Sequence, residues 1–202
     1  GHNPKCDIDE SGKARKIGTE GFAQICGKTG SYTNDNNSCC GNAETGNEKS
    51  IQSFINTFEG NGGYCDPAKT LYKAYQNSGD RVTIGHGITS DYISGLKLGD
   101  CRSVNEVDEA QMKAINAKRE YIKKQFSGVE LSSFQEDAMT SMAYNGCGSF
   151  FSDIAKAAKT GELKEVWSAM KGCTNGGMLG LERRRKAEFA LYVTGDYSVA
   201  EE

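Results

Sequence analysis

Apolar residues recur at helical spacing over most of the chain, and this spacing predicts a mainly helical protein. Residues 45–48 (Thr-Gly-Asn-Glu) form a capping box, and an apolar stripe at i, i+3, i+4 and i+7 follows it at Ile51, Phe54, Ile55 and Phe58. We expect this helix to end at residues 59–63, where glycines favour a left-handed cap. The same reasoning predicts further helices over 103–126, from 132, over 150–160, over 162–171 and over 179–194.

One stretch has a strand pattern instead. Residues 71–75 and 81–84 read as short strands, and residues 77–80 (Asn-Ser-Gly-Asp) have the composition of a turn. We predict a small β-hairpin here and no other β segment. The fold class is therefore α+β, with a hairpin lobe followed by a mainly helical lobe.

The eight cysteines are the unusual feature of the composition. They are spread along the whole chain and lack the close Cys and His clusters of metal sites. We therefore predict up to four disulfides, which point to an oxidising compartment, with their connectivity left open. Four of the eight lie in residues 1–46, a segment rich in Gly, Asn, Ser and Thr. We expect residues 1–46 to be an irregular extension pinned by disulfides, and residues 47–202 to form one domain.

Charge and hydropathy exclude some classes of protein. The net charge of −3 provides no basic field for duplex DNA, and no apolar run is long enough to insert into a membrane. Residues 180–188 contain three arginines and a lysine, but Glu182 and Glu188 lie among them, so an amphipathic helix with internal ion pairs explains the segment. We expect no nucleic acid partner, no cofactor and no metal. The first residues show no apolar signal segment, so we expect a removed signal or a longer parent protein that delivers this region.

Two side chains stand out for their chemistry. Glu59 lies at the predicted end of the first helix, beside Phe58, where the helix dipole and an apolar neighbour would favour a protonated carboxyl group. Such a group suits a general acid, although most carboxylates at helix ends are simply solvated. His86 lies between two glycines after the second strand, and a structural or substrate-contacting role fits it better than that of a base.

Taken together, the motifs resemble those of the phage-type lysozymes, a family of glycoside hydrolases. The motifs run in the family's order over about residues 48–195: Phe-Glu-Gly at 58–60, Ala-Tyr at 74–75, Thr-Ile-Gly-His-Gly at 83–87, Ser-Met-Ala-Tyr-Asn-Gly at 141–146, and the segment from Gly180 to Glu188. The resemblance implies a two-lobed lysozyme-like fold with a cleft between the lobes. It also implies muramidase activity, the cleavage of the β-1,4 bond between N-acetylmuramic acid and N-acetylglucosamine in peptidoglycan.

The resemblance also implies catalytic roles. Glu59 matches the family's proton donor, and Thr83 matches the threonine that helps to hold the attacking water. The family's catalytic aspartate lies six residues before that threonine, and here the position is Asn77, which cannot act as a base. Asp80, in the same turn, is our favoured replacement, and Asp91 is the alternative.

Other matched residues have supporting roles. Asn145 occupies a position that faces the sugar in the family, with a helix cap as its alternative role, and we predict that His86 also contacts substrate. Arg184, Arg185 and Glu188 match the last motif, and we predict that they form a buried or half-buried ion-pair network. Extra residues around Cys65 are predicted to form a disulfide-held loop at the rim of the cleft.

Two other functions remain open from sequence. A lytic transglycosylase needs no second carboxylate, so Asn77 gives it some weight, and a non-catalytic wall-binding module could retain the same fold. The cysteine content and mild charge suggest a monomeric antibacterial effector or bacteriocin domain that is secreted or delivered to a rival's periplasm, with an immunity protein as partner. A phage endolysin is the alternative biological role.

Overall fold

The computed structural model describes residues 6–8, 14–16, 48–77 and 79–198, with the backbone alone described at 6–8, 14–16 and 48–50. In this part of the chain, short strands and a first helix precede a series of five further helices. The predicted α+β class is confirmed. No helix within the described ranges is both long and apolar enough to cross a membrane.

Two of the described segments lie in the predicted extension. Strands β1 (Cys6–Ile8) and β2 (Ala14–Lys16) pair antiparallel, with Cys6 opposite Lys16. These six residues are therefore regular, contrary to the irregular conformation that we predicted for them, because each strand supplies the other's backbone hydrogen bonds. We also predicted that disulfides pin this segment to the rest of the chain, but the side chains of its cysteines are not among those described.

Helix α1 (Glu48–Asn56) buries the predicted stripe, since Ile51, Phe54 and Ile55 are almost fully inaccessible. The helix ends earlier than predicted, three residues before Glu59. One further turn follows, in which the main-chain NH groups of Phe58 and Glu59 donate to the carbonyl of Ile55 at 3.0 and 3.2 Å. Among the following glycines, positive φ angles occur only at residues 62 and 63, so no glycine caps the helix.

The β region is more divided than predicted. Strands β4 (Tyr75–Gln76), β5 (Val82–Ile84) and β6 (Ile88–Thr89) form an antiparallel sheet that contains the predicted hairpin. Strand β3 (Leu71–Lys73) instead pairs with β7 (Cys101–Ser103), which we did not predict. Strands β3 and β7 lie far apart in the sequence, and pairing at long range leaves little local pattern. For this reason the sequence did not reveal β7. We call residues 60–103 the hairpin lobe.

The helical lobe, residues 104–198, agrees closely with the predicted helices. Its members are α2 (Val104–Gln125), α3 (Ser133–Tyr144), α4 (Phe151–Thr160), α5 (Leu163–Met170) and α6 (Leu179–Thr194). The Ser103 hydroxyl accepts from the NH of Glu106, and Ser132 forms a complete capping box with Gln135. Gly195, with φ +70°, ends α6 as predicted.

Helix α2 connects the two lobes. Near its start, Val107 and Ala110 pack into the hairpin-lobe core, and near its end Ile122 and Phe126 pack into the larger helical core. Midway, Ile115 forms a separate small cluster with Ile51 and Ile55 of α1. The junction of the lobes is therefore built on one continuous helix, with α1 packed across its middle.

Two disulfides lie in the described region. Cys65–Cys101 ties the loop before β3 to the start of β7, and Cys147–Cys173 joins the segment after α3 to the segment after α5. Each bridge lies within one lobe, and neither crosses the junction. The predicted disulfide-held loop at Cys65 is confirmed, and its bridge closes a loop with a sequence separation of 36.

Replacing both cysteines of the first bridge, C65S/C101S, should lower the free energy of unfolding by about 3–4 kcal/mol, because the unfolded chain regains the entropy of an open loop of this size. Urea unfolding monitored by circular dichroism measures the change. C147S/C173S, with a sequence separation of 26, should cost nearly as much. An unchanged midpoint for both double variants would show that the bridges do not stabilise the fold.

Candidate active site

A buried charge network in α6 forms the base of the site. Arg184 and Arg185 are 2% and 0% exposed, and Glu188, one turn further on, is 0% exposed. Arg184 Nε lies 3.1 Å from Glu188 Oε1, and Arg185 Nε lies 2.7 Å from Glu188 Oε2. The predicted ion-pair network is confirmed, and its arginines point inward while Arg183 and Lys186 are exposed.

Helix α3 adds hydrogen bonds to this network. The Ser141 hydroxyl donates to Glu188 Oε1 at 2.7 Å, and Arg184 Nη2 donates to the main-chain oxygen of Ser141 at 3.2 Å. Arg185 donates to the Asn145 side-chain oxygen at 3.0 Å and also contacts the sulfur of Cys147. Burial lowers the pKa of Arg185, and the charge of Glu188 partly restores it. The motifs of α3 and α6, distant in sequence, thus form one polar unit.

Glu59 is the outer member of this network. Its Oε1 accepts a hydrogen bond from Arg184 Nη1 at 2.5 Å, and its side chain is 23% exposed. Arg184 also lies over the Phe58 ring, with its guanidinium carbon 5.5 Å from the ring centroid. The carboxyl group that we predicted beside the apolar Phe58 therefore also contacts a guanidinium group directly.

The main chain of Glu59 has its own contact. His86 Nδ1 lies 2.9 Å from the Glu59 carbonyl oxygen, and the main-chain oxygen of His86 accepts from the Tyr144 hydroxyl at 2.6 Å. His86 is half-buried, and Tyr72 packs against its ring edge-on. The structure therefore brings Glu59 and His86 together, but through the backbone of Glu59.

Gly62 permits close packing just after Glu59. Its φ is +69°, and a Cβ at this position would lie 1.8 Å from the Tyr75 ring. The Tyr75 hydroxyl in turn contacts the carbonyl oxygens of Gly60 and Gly85 at 3.5 and 3.4 Å. The backbone after Glu59 is thereby packed onto the three-stranded sheet.

Thr83 lies on the central strand β5, opposite Tyr75 on one side and Thr89 on the other. Its side chain is 2% exposed, and its hydroxyl donates to the carbonyl of Arg81 at 3.2 Å. Thr83 makes no hydrogen bond to Glu59.

The turn between β4 and β5 holds the residue at the family's aspartate position. The Asn77 side-chain oxygen accepts from the NH groups of Gly79 and Arg81 at 2.9 and 3.1 Å, so it stabilises the turn. Asp80 is exposed, has φ +57°, and accepts from Gln76 Nε2 at 3.2 Å. Neither residue contacts Glu59.

Asp91 is engaged on the surface of the same lobe. Its Oδ2 accepts from Arg81 Nη2 at 2.8 Å and from the Thr89 hydroxyl at 3.1 Å. The Arg81 and Asp91 side chains are 60% and 62% exposed. Asp91 is therefore held by a cation, whereas the donor to Asp80 among the described residues is the neutral Gln76 amide.

Asn145 caps the end of α3, and its side-chain oxygen is bound by Arg185. The two roles that we considered for Asn145, a helix cap and a contact to the sugar, are therefore both compatible with the structure, because its amide nitrogen can still donate. It lies one residue after Tyr144 and on the same side of the junction as the charge network.

Sequence reasoning missed several residues around the site. Gln111, 1% exposed, donates to the Asn56 side chain at 2.6 Å and accepts from Gln52, so it links α1 to α2. Burial raises the pKa of Asp108, and the nearby His86 lowers it in part. Neither position could be found from local pattern, since a polar residue on an amphipathic helix normally faces solvent. The residues with described side chains include no cluster of three or more His, Cys, Asp or Glu that could hold a metal.

The fold and the site together define a two-lobed glycoside hydrolase, and comparison with known proteins identifies the family. The model of the phage lysozyme family matches residues 70–188, more than half of the chain. The chain therefore belongs to the phage lysozyme family and is a lysozyme-type peptidoglycan hydrolase. The match includes Thr83, His86 and the α6 network, whereas Glu59 precedes it. No curated protein sequence matches the chain.

Solved structures share the fold. The endolysin from Escherichia coli O157:H7 phage FAHEc1 is 22% identical, with a TM-score of 0.61, over 78% of this chain and 98% of that chain. The muramidase domain of SpmX from Asticaccaulis excentricus is 22% identical, with a TM-score of 0.57, over 75% of this chain and 98% of that domain. The active form of the P1 phage endolysin Lyz is 24% identical, with a TM-score of 0.59, over 76% and 87%. The predicted two-lobed lysozyme-like fold is confirmed.

Glu188→Gln should destabilise the fold by about 3–5 kcal/mol, because it leaves two buried guanidinium groups without their shared counter-charge. Chemical denaturation measures the loss. Asp153→Asn is the matched control, since it breaks an exposed Lys–Asp pair with both side chains 74% exposed and should cost less than about 1 kcal/mol. Equal effects of the two substitutions would contradict the structural role of the network.

Asp108→Asn should stabilise the protein more at pH 7 than at pH 4. A carboxyl group with a raised pKa binds its proton more tightly in the folded state, so its contribution to stability falls as pH rises from the unfolded pKa through the folded one. The amide does not titrate and avoids this loss. Thermal unfolding at both pH values measures the difference, with Glu109→Gln at the neighbouring exposed position as control. A wild-type advantage that grows with pH would contradict the prediction.

Proposed function

We propose that the protein cleaves the β-1,4 bond between N-acetylmuramic acid and N-acetylglucosamine, with Glu59 as general acid. The observation that carries this proposal is the Glu59 carboxyl group, which is partly exposed at the junction of the lobes and is fixed by the buried Arg184. A catalytic acid must be held in one orientation while it remains accessible to the polymer.

The two carboxyl oxygens of Glu59 take different roles in this mechanism. Oε1 is held by Arg184, so Oε2 carries the proton that is given to the glycosidic oxygen as the bond breaks. Once the proton has left, the guanidinium group stabilises the resulting carboxylate. Cleavage leaves positive charge on the sugar ring, and glycosidases balance this charge with a second carboxylate.

We assign the second carboxylate to Asp80. Asn77 cannot supply the charge, and Asp91 is neutralised by Arg81 at 2.8 Å. Asp80 is exposed on the same turn and has only the neutral Gln76 amide as a described donor, so its charge is available to substrate. A modest closure of the turn onto bound glycan would bring Asp80 to the reacting sugar.

Thr83 and Asn145 complete the proposed site. The Thr83 hydroxyl donates to the Arg81 carbonyl and is buried, so this role requires the neighbouring turn to open before its oxygen accepts from the attacking water. Asn145 has its oxygen bound by Arg185, which leaves its amide NH₂ to donate to a sugar acetamido or hydroxyl group. His86 lies at the same junction, and substrate can reach it because it is only half-buried.

A lytic transglycosylase is the second candidate. The amide at Asn77 favours it, because that reaction uses one acid/base group and an internal sugar hydroxyl in place of water. The products separate the two reactions: reducing muramic acid ends indicate hydrolysis, and 1,6-anhydro ends indicate transglycosylation. Mass spectrometry of digested sacculi provides this measurement.

We further propose that the protein acts in an oxidising extracytoplasmic compartment, as a monomeric antibacterial domain delivered to the periplasm of a competitor. The two described disulfides support such a compartment. Residues 1–46 would then form an extension outside the lysozyme domain, and the producing cell would need an immunity protein against the site. Affinity capture with the product of the neighbouring gene, followed by an inhibition assay, tests this role.

Glu59→Gln should abolish bond cleavage, a loss of at least about 100-fold in kcat, because the amide cannot donate the proton. Release of reducing ends from purified peptidoglycan measures the rate, and Glu165→Gln, exposed on α5, is the control.

Asp80→Asn should lower kcat by more than about 10-fold, and Asp91→Asn by less. Wild-type turnover by Glu59→Gln would refute the assignment of the acid, and the reverse order of the two aspartates would exchange their roles.

A further inference from the structure

Two hydrogen bonds in series connect the helical lobe to the backbone of Glu59. The Tyr144 hydroxyl donates to the main-chain oxygen of His86 at 2.6 Å, and His86 Nδ1 lies 2.9 Å from the main-chain oxygen of Glu59. A carbonyl oxygen only accepts, so the His86 ring must have its proton on Nδ1. The path therefore leads from α3, through His86, to the residue that we propose as the acid.

Tyr144 is well placed to act as the fixed end of this path. It is the last residue of α3, and its ring packs against both the hairpin-lobe core and the small cluster of α1 and α2. Gly87, with φ +92°, brings the backbone so close that an added Cβ would lie 3.4 Å from the ring. Burial raises the pKa of the Tyr144 hydroxyl, and the charge of Glu59 adds to that effect, so the group stays protonated as a donor.

Glu59 needs such support because of its place in the chain. It lies beyond the end of α1, where its main-chain NH still bonds to the Ile55 carbonyl, and the glycine-rich segment after it packs on Tyr75. Arg184 fixes its carboxyl group, but neither of these contacts holds the Glu59 carbonyl group. The contact from His86 fixes the carbonyl group of the same residue, so the backbone and the side chain are held from different lobes.

We propose that Tyr144 and His86 are positioning residues for the reaction, which hold the Glu59 backbone in the orientation that presents its carboxyl group to the glycosidic bond. This inference rests on the proposed function. His86 then acts through Glu59, in addition to any contact with substrate, and Tyr144 becomes functional through its hydroxyl group. Displacement of a catalytic group by a fraction of an ångström lowers turnover more than it lowers binding.

Tyr144→Phe tests the first bond. It should lower kcat on soluble, uncross-linked glycan strands by about 10-fold and change KM by less than about two-fold, because binding contacts are retained while the acid is displaced. Tyr197→Phe is the matched control, since it removes a hydroxyl that donates to Asp137 at 2.5 Å, away from Glu59. It should lower the melting temperature to a similar extent and leave kcat unchanged. Equal kcat values for both variants would overturn the proposal.

A pair of substitutions tests the second bond. His86→Leu removes the donor and should lower kcat, and any lost substrate contact would appear separately as a higher KM. His86→Asn places an amide NH₂ near the position of Nδ1 and should recover a substantial part of the loss in kcat. The double variant Tyr144→Phe/His86→Leu should lose no more than His86→Leu alone, because the two bonds act in series. Additive losses of kcat in the double variant, or no recovery of kcat by His86→Asn, would overturn the proposed positioning of Glu59 through these two hydrogen bonds.

The activity of Glu59→Gln distinguishes a failure of this inference from a failure of the proposed function on which it rests. If Glu59→Gln is inactive and Tyr144→Phe and His86→Leu turn over like the wild type, the proposed function stands and the positioning role is wrong. If Glu59→Gln is fully active, the assignment of the acid is wrong, and the positioning role is refuted with it.

Discussion

The structure depends on a group of buried charges, in which Arg184 and Arg185 face the carboxylates of Glu188 and Glu59. Transfer of each ion from water costs several kcal/mol, so such a group is stable only when every charge has close partners. Arg184 and Arg185 face Glu188, Arg184 also holds Glu59, and Ser141 and Asn145 supply further hydrogen bonds. The residue that we propose as the acid is therefore also the outermost member of the charge network.

No disulfide among the described residues crosses between the lobes: Cys65–Cys101 stabilises the hairpin lobe, and Cys147–Cys173 stabilises the helical lobe. Helix α2 packs into both cores, and the Tyr144–His86 hydrogen bond joins the lobes. The Glu59–Arg184 pair ties the segment before the hairpin lobe to α6. The two bridges therefore constrain each lobe separately.

The turn at Asn77 shows how a structural role can persist when a chemical one is lost. The Asn77 oxygen accepts two backbone hydrogen bonds, a function that the carboxylate of an aspartate performs equally well. The substitution therefore preserves the turn and removes only the charge. Asp80 lies three residues later on the same turn, with φ +57°. Our proposal that Asp80 supplies the second carboxylate therefore moves the charge by only three positions in the sequence.

The sequence by itself determined the helices, the caps at Ser103, Ser132 and Gly195, and the order of the family motifs, because apolar periodicity and capping are local properties. It also predicted the α6 charge motif, which the structure confirms, and Glu59 as the acid, which stays a prediction. Only the tertiary structure decided that β3 pairs with β7, that Arg184 contacts Glu59, and that Tyr144 bonds to His86, whose ring contacts the Glu59 carbonyl. These contacts join residues from 27 to 125 positions apart. Their partners are selected by burial and charge balance across the two lobes, and no local pattern in the chain records that selection.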